Sequence, residues 1–341
     1  MKVLKFGGTS VGTPESLLNV KKIVESIQSP AIVVVSALGG LTDQLISTAR
    51  KAAGNNEDYR MDMEAISARH FNIISMVVDE GKRQDTFTSV SALLSDLRRL
   101  FEGIFLLRHL PSETLDMVVS FGERMSSVIV AAMISGGKRF DSLKFMKTEE
   151  WFGKNIADQQ LTTSLIRENF SEDFDKAIVP GFISTDRVTG RITNLGRGGS
   201  DFSAALIAAA LDAEILEIWT DVDGFMTADP RIIRDAKVVR EMTFVESMEL
   251  CTFGAKVIYP PTIYPVFHKS IPIRILNTFN PSAPGTLVAD FPTNGEFSVS
   301  GVSALKNTSL FSLFMDGGRS SGVESRALNS LSRQGIKVYP V

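Results

Sequence analysis

Short β-branched runs at residues 1–5 and 31–36 (AIVVVS) stop at glycine or polar clusters, and between them residues 14–28 repeat apolar positions at helical spacing. Strand, helix and strand in that order predict a βαβ unit, and hence a parallel sheet covered by helices. From about 42 to 136 the pattern turns mostly helical. LISTARKAA, MEAISARHFNIISMVVDE and VSALLSDLRRLFEGIFLL carry apolar residues three and four apart, which reads as a helical insertion or lid. Strand signals return at 177–185 (AIVPGFIST) and 191–195, joined by the polar turn from Asp186 to Gly190, so a hairpin is expected there. An alanine-rich helix (FSAALIAAALDA) and a strand (EILEIWT) follow. Residues 245–270 read as two helical pieces parted by Pro260 and Pro261, and IPIRIL with GTLV near 285 supplies the last strands of the large domain.

At 341 residues the chain exceeds the roughly 250–300 at which one core usually stops growing, so a large domain plus a smaller one is expected. The polar PTNGEF segment places the boundary near 290–298, giving domains of 1–292 and 298–341. The second reads strand (SVSGVSAL and SLFSLFM), helix (GVESRALNSLSRQ), strand (IKVYPV), about half of a small α/β unit. A fragment this short, ending in an exposed strand, makes a poor independent domain. Either the sequence is cut from a longer protein, the favoured reading, or the last strand pairs with another copy of the chain.

Apolar residues are 44% and charged residues 22% of the chain, and no window approaches the roughly 18 uncharged apolar residues of a membrane helix. MKVLKFGG has neither the longer apolar core nor the cleavage site of a secretory signal, so a cytoplasmic location is expected. The formal net charge is −3, and no Lys/Arg cluster has the density of a nucleic-acid or membrane-surface site. The single cysteine, Cys251, sits in an apolar helical stretch and reads as a packed thiol. His70, His109 and His268 lack ligand spacing, so no protein-bound metal is expected.

Candidate chemistry lies in the glycine-rich loops. KFGGTS at 5–10 follows the first strand directly, so Gly7 and Gly8 can turn their N–H groups toward an anion. The loop is neither a P-loop nor a dinucleotide fingerprint, and a plain tight turn fits equally well. LGRGGSDFSAA at 195–205 places three glycines before Ser200 and Asp201, which resemble caps of the next helix, whose start would expose N–H groups to phosphate. An ordinary strand-to-helix connection also fits, but Arg197 inside the glycine run can present its fork to a carboxylate. WTDVDGFMTADPR at 219–231 joins a strand end to an Asp-Gly turn, either where open α/β sheets receive ligands or a turn with solvated aspartates. Lys256 in FGAKVIYPPT reads alone as a snorkelling surface lysine, and Glu123 in SFGERMS as a helix-surface acid.

Taken together KFGGTSVG, VSALGGLTD, SFGERMS, GFIS, LGRGGSD, EIWTDVDG, TADPR and FGAKVIYPPTI, in this order over about residues 1–290, resemble the aspartokinase members of the amino-acid kinase family. The resemblance implies an α/β three-layer sandwich around a mostly parallel eight-stranded sheet, followed by a partial ACT-like α+β segment. It implies transfer of the γ-phosphoryl group of ATP, with Mg2+ held mainly by the nucleotide, to the side-chain carboxylate of L-aspartate. It also implies a homo-oligomer. The order of motifs is most similar to the kinase half of bifunctional aspartokinase/homoserine dehydrogenases, whose dehydrogenase region would then be missing from this chain.

Carried over position by position, the resemblance gives Lys5 to the transferring phosphate, Gly7, Gly8, Thr9 and Ser10 to a phosphate cradle, and Lys256 to charge on the nucleotide side. Asp201 either lies near the metal or organises Lys5 or the substrate amine. Arg197 takes the α-carboxylate and Glu123 the ammonium of aspartate. Ser36, Thr42 and Ser200 hydrogen-bond the substrate, with Gly198 and Gly199 beside them and Phe182 lining the pocket. Thr220, Asp221, Met226, Asp229, Arg231, Lys256 and Val257 match nucleotide positions. Met226 stands where relatives have tyrosine and brings a soft thioether instead of a phenol. A carboxylate is already ionised near neutral pH, so no general base is required. The alternatives are a degenerate ligand-sensing protein and a kinase of another amino acid.

Overall fold

The computed structural model describes residues 1–151, 154–290, 301–305, 307–309 and 322–336. The apolar run at the start of the chain forms β1 (Lys2–Phe6). Helix α1 (Pro14–Glu25), capped by Thr13 and opened by Pro14, returns the chain to β2 (Ala31–Val35), parallel to β1. The helical block follows as α2 (Leu41–Ala53), α3 (Tyr59–Val77), α4 (Glu80–Leu107) and α5 (Ser112–Met133). Next come β3 (Gly137–Arg139), β4 (Lys147–Trp151), β5 (Lys154–Ala157), α6 (Gln159–Asn169) and β6 (Lys176–Pro180). Then follow β7 (Ile183–Asp186), β8 (Ile192–Asn194), α7 (Gly199–Ala210) and β9 (Ile215–Thr220). Last in the large unit are β10 (Glu241–Thr243), α8 (Phe244–Thr252), α9 (Ile263–Phe267), β11 (Ile273–Asn277) and β12 (Thr286–Ala289).

Eight strands form one sheet in the order β10-β12-β11-β9-β1-β2-β6-β3, parallel throughout except between β11 and β12. The central strands are apolar on both faces because helices cover both. Leu4, Phe6, Val33 and Val35 pack with α1 to α5, while Val3, Ile32, Val34 and Ile218 pack with α6 to α9. Strand alternation therefore sends Lys5, two residues on from Val3, toward the face that carries α7. This is the expected three-layer α/β sandwich.

A second sheet, in the order β5-β4-β7-β8, was not legible as such. The expected strand over 177–185 breaks at Gly181 and Phe182. β6 stays in the large sheet, and β7 leaves it to form the hairpin with β8. Ser200 and Asp201 do not cap α7. Gly198 is its N-cap, left-handed at φ 67°, and both residues lie within the first turn. The first helical piece of 245–270 ends at Thr252, so Lys256 is on irregular backbone rather than a helix.

The chain divides into two compact units, Met1–Ala304 and Leu305–Val341. In the second, the expected helix is α10 (Val323–Arg333), starting after Gly322 at φ 91°. The strands expected on either side of it, and the boundary segment, fall largely outside the described residues, and residues 301–305 are irregular. Among the described residues no helix is long and apolar enough to cross a membrane.

Candidate active site

Neighbouring strands hand their hydrogen bonding on to the loops at their carboxyl ends. Gly7 N–H donates to the Trp219 carbonyl (3.2 Å), Ser36 N–H to Phe6 (3.2 Å), Gly181 N–H to Val35 (2.9 Å) and Thr278 N–H to Thr220 (2.9 Å). The loops after β1, β2, β6, β9 and β11 are thereby held side by side on one crest, the position where open α/β sheets bind ligands. Glycine permits the closest approach: a Cβ on Gly39 would lie 2.9 Å from the Gly8 carbonyl oxygen, and one on Gly12 3.0 Å from the same atom.

A cavity of about 310 Å³ opens at this crest. It is lined by Lys5 of β1 and Gly8 of the loop after it, Ser36 to Gly40 of the loop after β2, Thr42 at the start of α2, Glu123 of α5, Phe182, and Gly196 to Asp201. Every residue expected to meet aspartate is among them, although these residues span the chain from 36 to 200. Gly7, Thr9 and Ser10 do not line it. The Ser10 hydroxyl is buried and shared with Thr278 (2.7 Å), so it braces the loop from beneath.

Lys5 Nζ meets Asp201 Oδ1 at 2.5 Å, both side chains mostly buried. The contact is an ion pair lacking the angles of a hydrogen bond, and Oδ1 has no hydrogen-bond partner. Glu123 is 4% exposed, far from the surface acid that its helical sequence suggests. Burial pushes its carboxyl up to about 8, opposed by a backbone hydrogen bond at Ala37 and by the Lys5 charge, and Oε2 is buried without a partner. Its backbone is fixed by close packing: a Cβ on the preceding Gly122 would lie 2.6 Å from Ala37 Cβ, and Ser126 Oγ donates to the Ser36 carbonyl at 2.7 Å. Arg197 is exposed and has no carboxylate partner among the described residues. Phe182 takes φ 66°, held by its N–H on Ser203 Oγ (3.0 Å) and its carbonyl under Leu195 N–H (2.9 Å). A non-glycine residue in this region signals strain held by its surroundings.

Residues 1–277 match the family model described as the amino acid kinase family. The chain belongs to that family. It is 32% identical to the bifunctional aspartokinase/homoserine dehydrogenase of Haemophilus influenzae over 349 residues, 99% of this chain and 42% of that protein. It is 34% identical to the lysine-sensitive aspartokinase 3 of Escherichia coli over 86% of this chain and 65% of that protein. Its fold is similar to the crystal structure of E. coli aspartokinase III in complex with aspartate and ADP, with a TM-score of 0.76, 33% identity, and coverage of 86% of this chain and 65% of the other. The chain spans about half or less of the length of several curated relatives that it matches.

The residues expected on the nucleotide side of this amino acid kinase chain sit apart from the cavity lining, at the end of β9, in the connection from β9 to β10 and in the segment after α8. Thr220 Oγ1 donates to Asp221 (3.2 Å), and Arg231 grips Asp229 through Nε (3.0 Å) and Nη2 (2.8 Å). Met226 bridges antiparallel to Val238. Lys256 is exposed and unpaired among the described residues. Cys251 is a packed thiol: burial pushes it up to about 11, and it takes backbone hydrogen bonds from Val257 and Ile258. Tyr259 seals this segment against the LGRGG loop, since a Cβ on Gly198 would lie 2.2 Å from Tyr259 Cβ.

Two supports escaped the sequence reading. Asn194 accepts from Gly196 N–H (2.9 Å) and donates to Asp116 on α5 (2.6 Å), tethering the loop that carries Arg197. Arg69 on α3 donates to two of the crest loops at once. Their distant partners, Gly12 and Gly39 for Arg69 and Asp116 for Asn194, are 30 to 78 residues away.

Proposed function

We propose that the chain is an aspartate kinase, transferring the γ-phosphoryl group of ATP to the side-chain carboxylate of L-aspartate to give 4-phospho-L-aspartate, the first step toward the aspartate-derived amino acids. The observation that carries the reading is the charge pattern of one cavity. The ion pair between Lys5 and Asp201 neutralises itself, leaving the Arg197 guanidinium, without a carboxylate partner among the described residues, and the buried Glu123 carboxyl, whose Oε2 has no partner. A free cation and a free acid in one small cavity complement the two ends of an amino-acid zwitterion. Aspartate would set its α-carboxylate on Arg197 and its ammonium on Glu123, with Ser36, Thr42 and Ser200 available as hydroxyl partners. Its second carboxylate would then face Lys5 and Gly8.

That carboxylate needs no base, so the work of the site is to bring two anions together and to stabilise charge on the group in transit. Lys5 is placed for this at the end of β1. Asp201 Oδ1 holds the ammonium in place as its ion-pair partner. Thr220, Asp221, Met226, Asp229, Arg231, Lys256 and Val257 are assigned to the nucleotide, with Gly8 and Thr9 offering backbone N–H groups to its phosphates, whereas the expected Gly7 N–H is taken by the Trp219 carbonyl. Mg2+ is assigned to the phosphates of ATP, where this hard ion retains water in kinase sites. Bound there it would spread phosphate charge. We read residues 1–292 as the catalytic domain and 298–341 as the start of a regulatory ACT-like domain. The alignment along a bifunctional relative, over 99% of this chain and 42% of that protein, supports reading the chain as the kinase part of a longer protein.

The test is to trap the acyl phosphate with hydroxylamine across a panel of amino acids with ATP and Mg2+. Hydroxamate from L-aspartate, at least tenfold above that from glutamate or other acids, is expected. Hydroxamate from a different acid would move the acceptor. No product from any acid would favour a ligand-sensing protein.

A further inference from the structure

We infer that Arg69 is a positioning residue that locks the phosphate loop and the substrate loop into a common register. The inference rests on the phosphoryl-transfer reading given above. Arg69 lies on α3, in the helical block that packs on the opposite face of the sheet from α7 and contributes Glu123 through α5. One nitrogen of its guanidinium, Nη2, donates to the Gly12 carbonyl at 2.9 Å and to the Gly39 carbonyl at 2.8 Å. Gly12 ends the loop that leaves β1 past Lys5 and Gly8. Gly39 lies in the loop that leaves β2 with Ser36 and precedes Thr42.

No carboxylate pairs with Arg69 among the described residues, so both bonds to carbonyl oxygens are charge-assisted and uncompeted. The side chain is half-buried, and burial lowers its pKa from the usual arginine value, yet a guanidinium keeps its charge where an ammonium more readily yields it. Two N–H vectors of a single planar nitrogen fix the separation of their two acceptors. At Gly8, Gly12 and Gly39 the loops meet backbone to backbone, with Gly39 and Gly12 both close against the Gly8 carbonyl, so at this contact no side chain of the three glycines can set the separation. Gly8 and Gly39 both line the cavity, and a small relative slip would therefore move the phosphate side against the acceptor side. In-line transfer between two anions depends on that offset more than the binding of either one does.

The test uses the whole chain with Arg69→Met, which keeps the apolar stem and removes the donors, and Arg69→Lys, which keeps a charge without the planar fork. Hydrogen exchange of backbone amides is followed by mass spectrometry at residues 7–12 and 36–40. Steady-state kinetics are followed for both substrates. In Arg69→Met exchange should rise about tenfold or more in both loops together, with α3 itself unchanged. kcat should fall about 10- to 100-fold while both KM values stay within about threefold. Arg69→Lys should lie between, and millimolar guanidinium ion should restore part of the kcat of Arg69→Met. Faster exchange in one loop alone, or a loss confined to KM, would overturn the inference. So would a kcat like that of wild type. If the wild-type chain makes no acyl phosphate, the kinase reading fails by itself, and the exchange pattern still decides whether Arg69 couples the loops.

Discussion

The two halves of the candidate site are built differently. On the side proposed for the amino acid, residues from β1, α5, α7 and the adjoining loops converge on one cavity, where Glu123 is buried, Asp201 nearly so, and Phe182 is held in a strained backbone conformation. On the nucleotide side Asp221 and Lys256 are exposed, Arg231 and Asp229 satisfy each other, and the backbone around Lys256 is irregular. A small zwitterion has only its charges to be known by, and these count for most in a dry, preformed pocket. A nucleotide offers several charges and a large face, so an open surface can hold it. The amino-acid side should therefore control kcat and acceptor choice, and the nucleotide side should mainly control KM for ATP.

The largest expected effect tests this division directly. Lys5→Ala removes the one lysine that lines the cavity among the described residues, and kcat should fall by about 10²–10³-fold. Circular dichroism should remain that of a folded protein, at a lower melting temperature, because Asp201 loses its partner. Lys256→Ala should instead raise KM for ATP with the smaller change in kcat. Equal losses of kcat in the two variants would break the comparison.

Glu123 gives the next effect. Its carboxyl is held near 8, and an incoming ammonium favours the ionised form, so aspartate binding must release a proton below that pH. KM for aspartate should fall about tenfold for each pH unit from 6 toward 8. In Glu123→Gln it should be flat and, at pH 8, about 100-fold higher than in wild type. A wild-type KM indifferent to pH would show that Glu123 does not receive the ammonium.

The same contrast bears on what the sequence could disclose. Period and punctuation sufficed for the central strands and long helices, because their two-sided burial is written as unbroken apolar runs. β4 and β5 (KTEEW and KNIA) carry no such signal, being half-exposed strands of a small sheet that propensity alone does not reveal. The break between β6 and β7 was announced by Pro180 and Gly181, yet β-branched residues on both sides masked it. The cavity residues were legible through their motifs as a set, but their environment was not. Glu123 in a helical heptad looks like any surface acid until Gly122 brings α5 down upon Ala37. Arg69 and Asn194 act across long sequence separations, which no local pattern encodes.

His70, one residue beyond Arg69, gives the smallest effect and isolates the helical block from the site chemistry. Its Nδ1 bonds the Ile66 carbonyl at 2.7 Å, so Nδ1 carries the proton. Nε2 is buried with no partner, and a second proton there would be a charge without an acceptor. Burial accordingly pushes the pKa down to about 4, helped by the nearby Arg69 charge. With the folded value below the unfolded 6.5, the unfolded chain takes up the proton first, so stability from this group is present above 6.5 and is lost as pH falls toward 4. Glu123 works in the opposite sense, since its folded pKa is raised and its contribution is lost as pH rises through 8. The bare pH profile mixes the two, whereas the difference between wild type and His70→Phe separates them. Between pH 7.5 and 5 wild type should lose about 2 kcal/mol more than the variant in urea unfolding. Parallel curves for the two proteins would mean that Nε2 finds an acceptor on protonation, and that the helical block is softer than the cavity it supports.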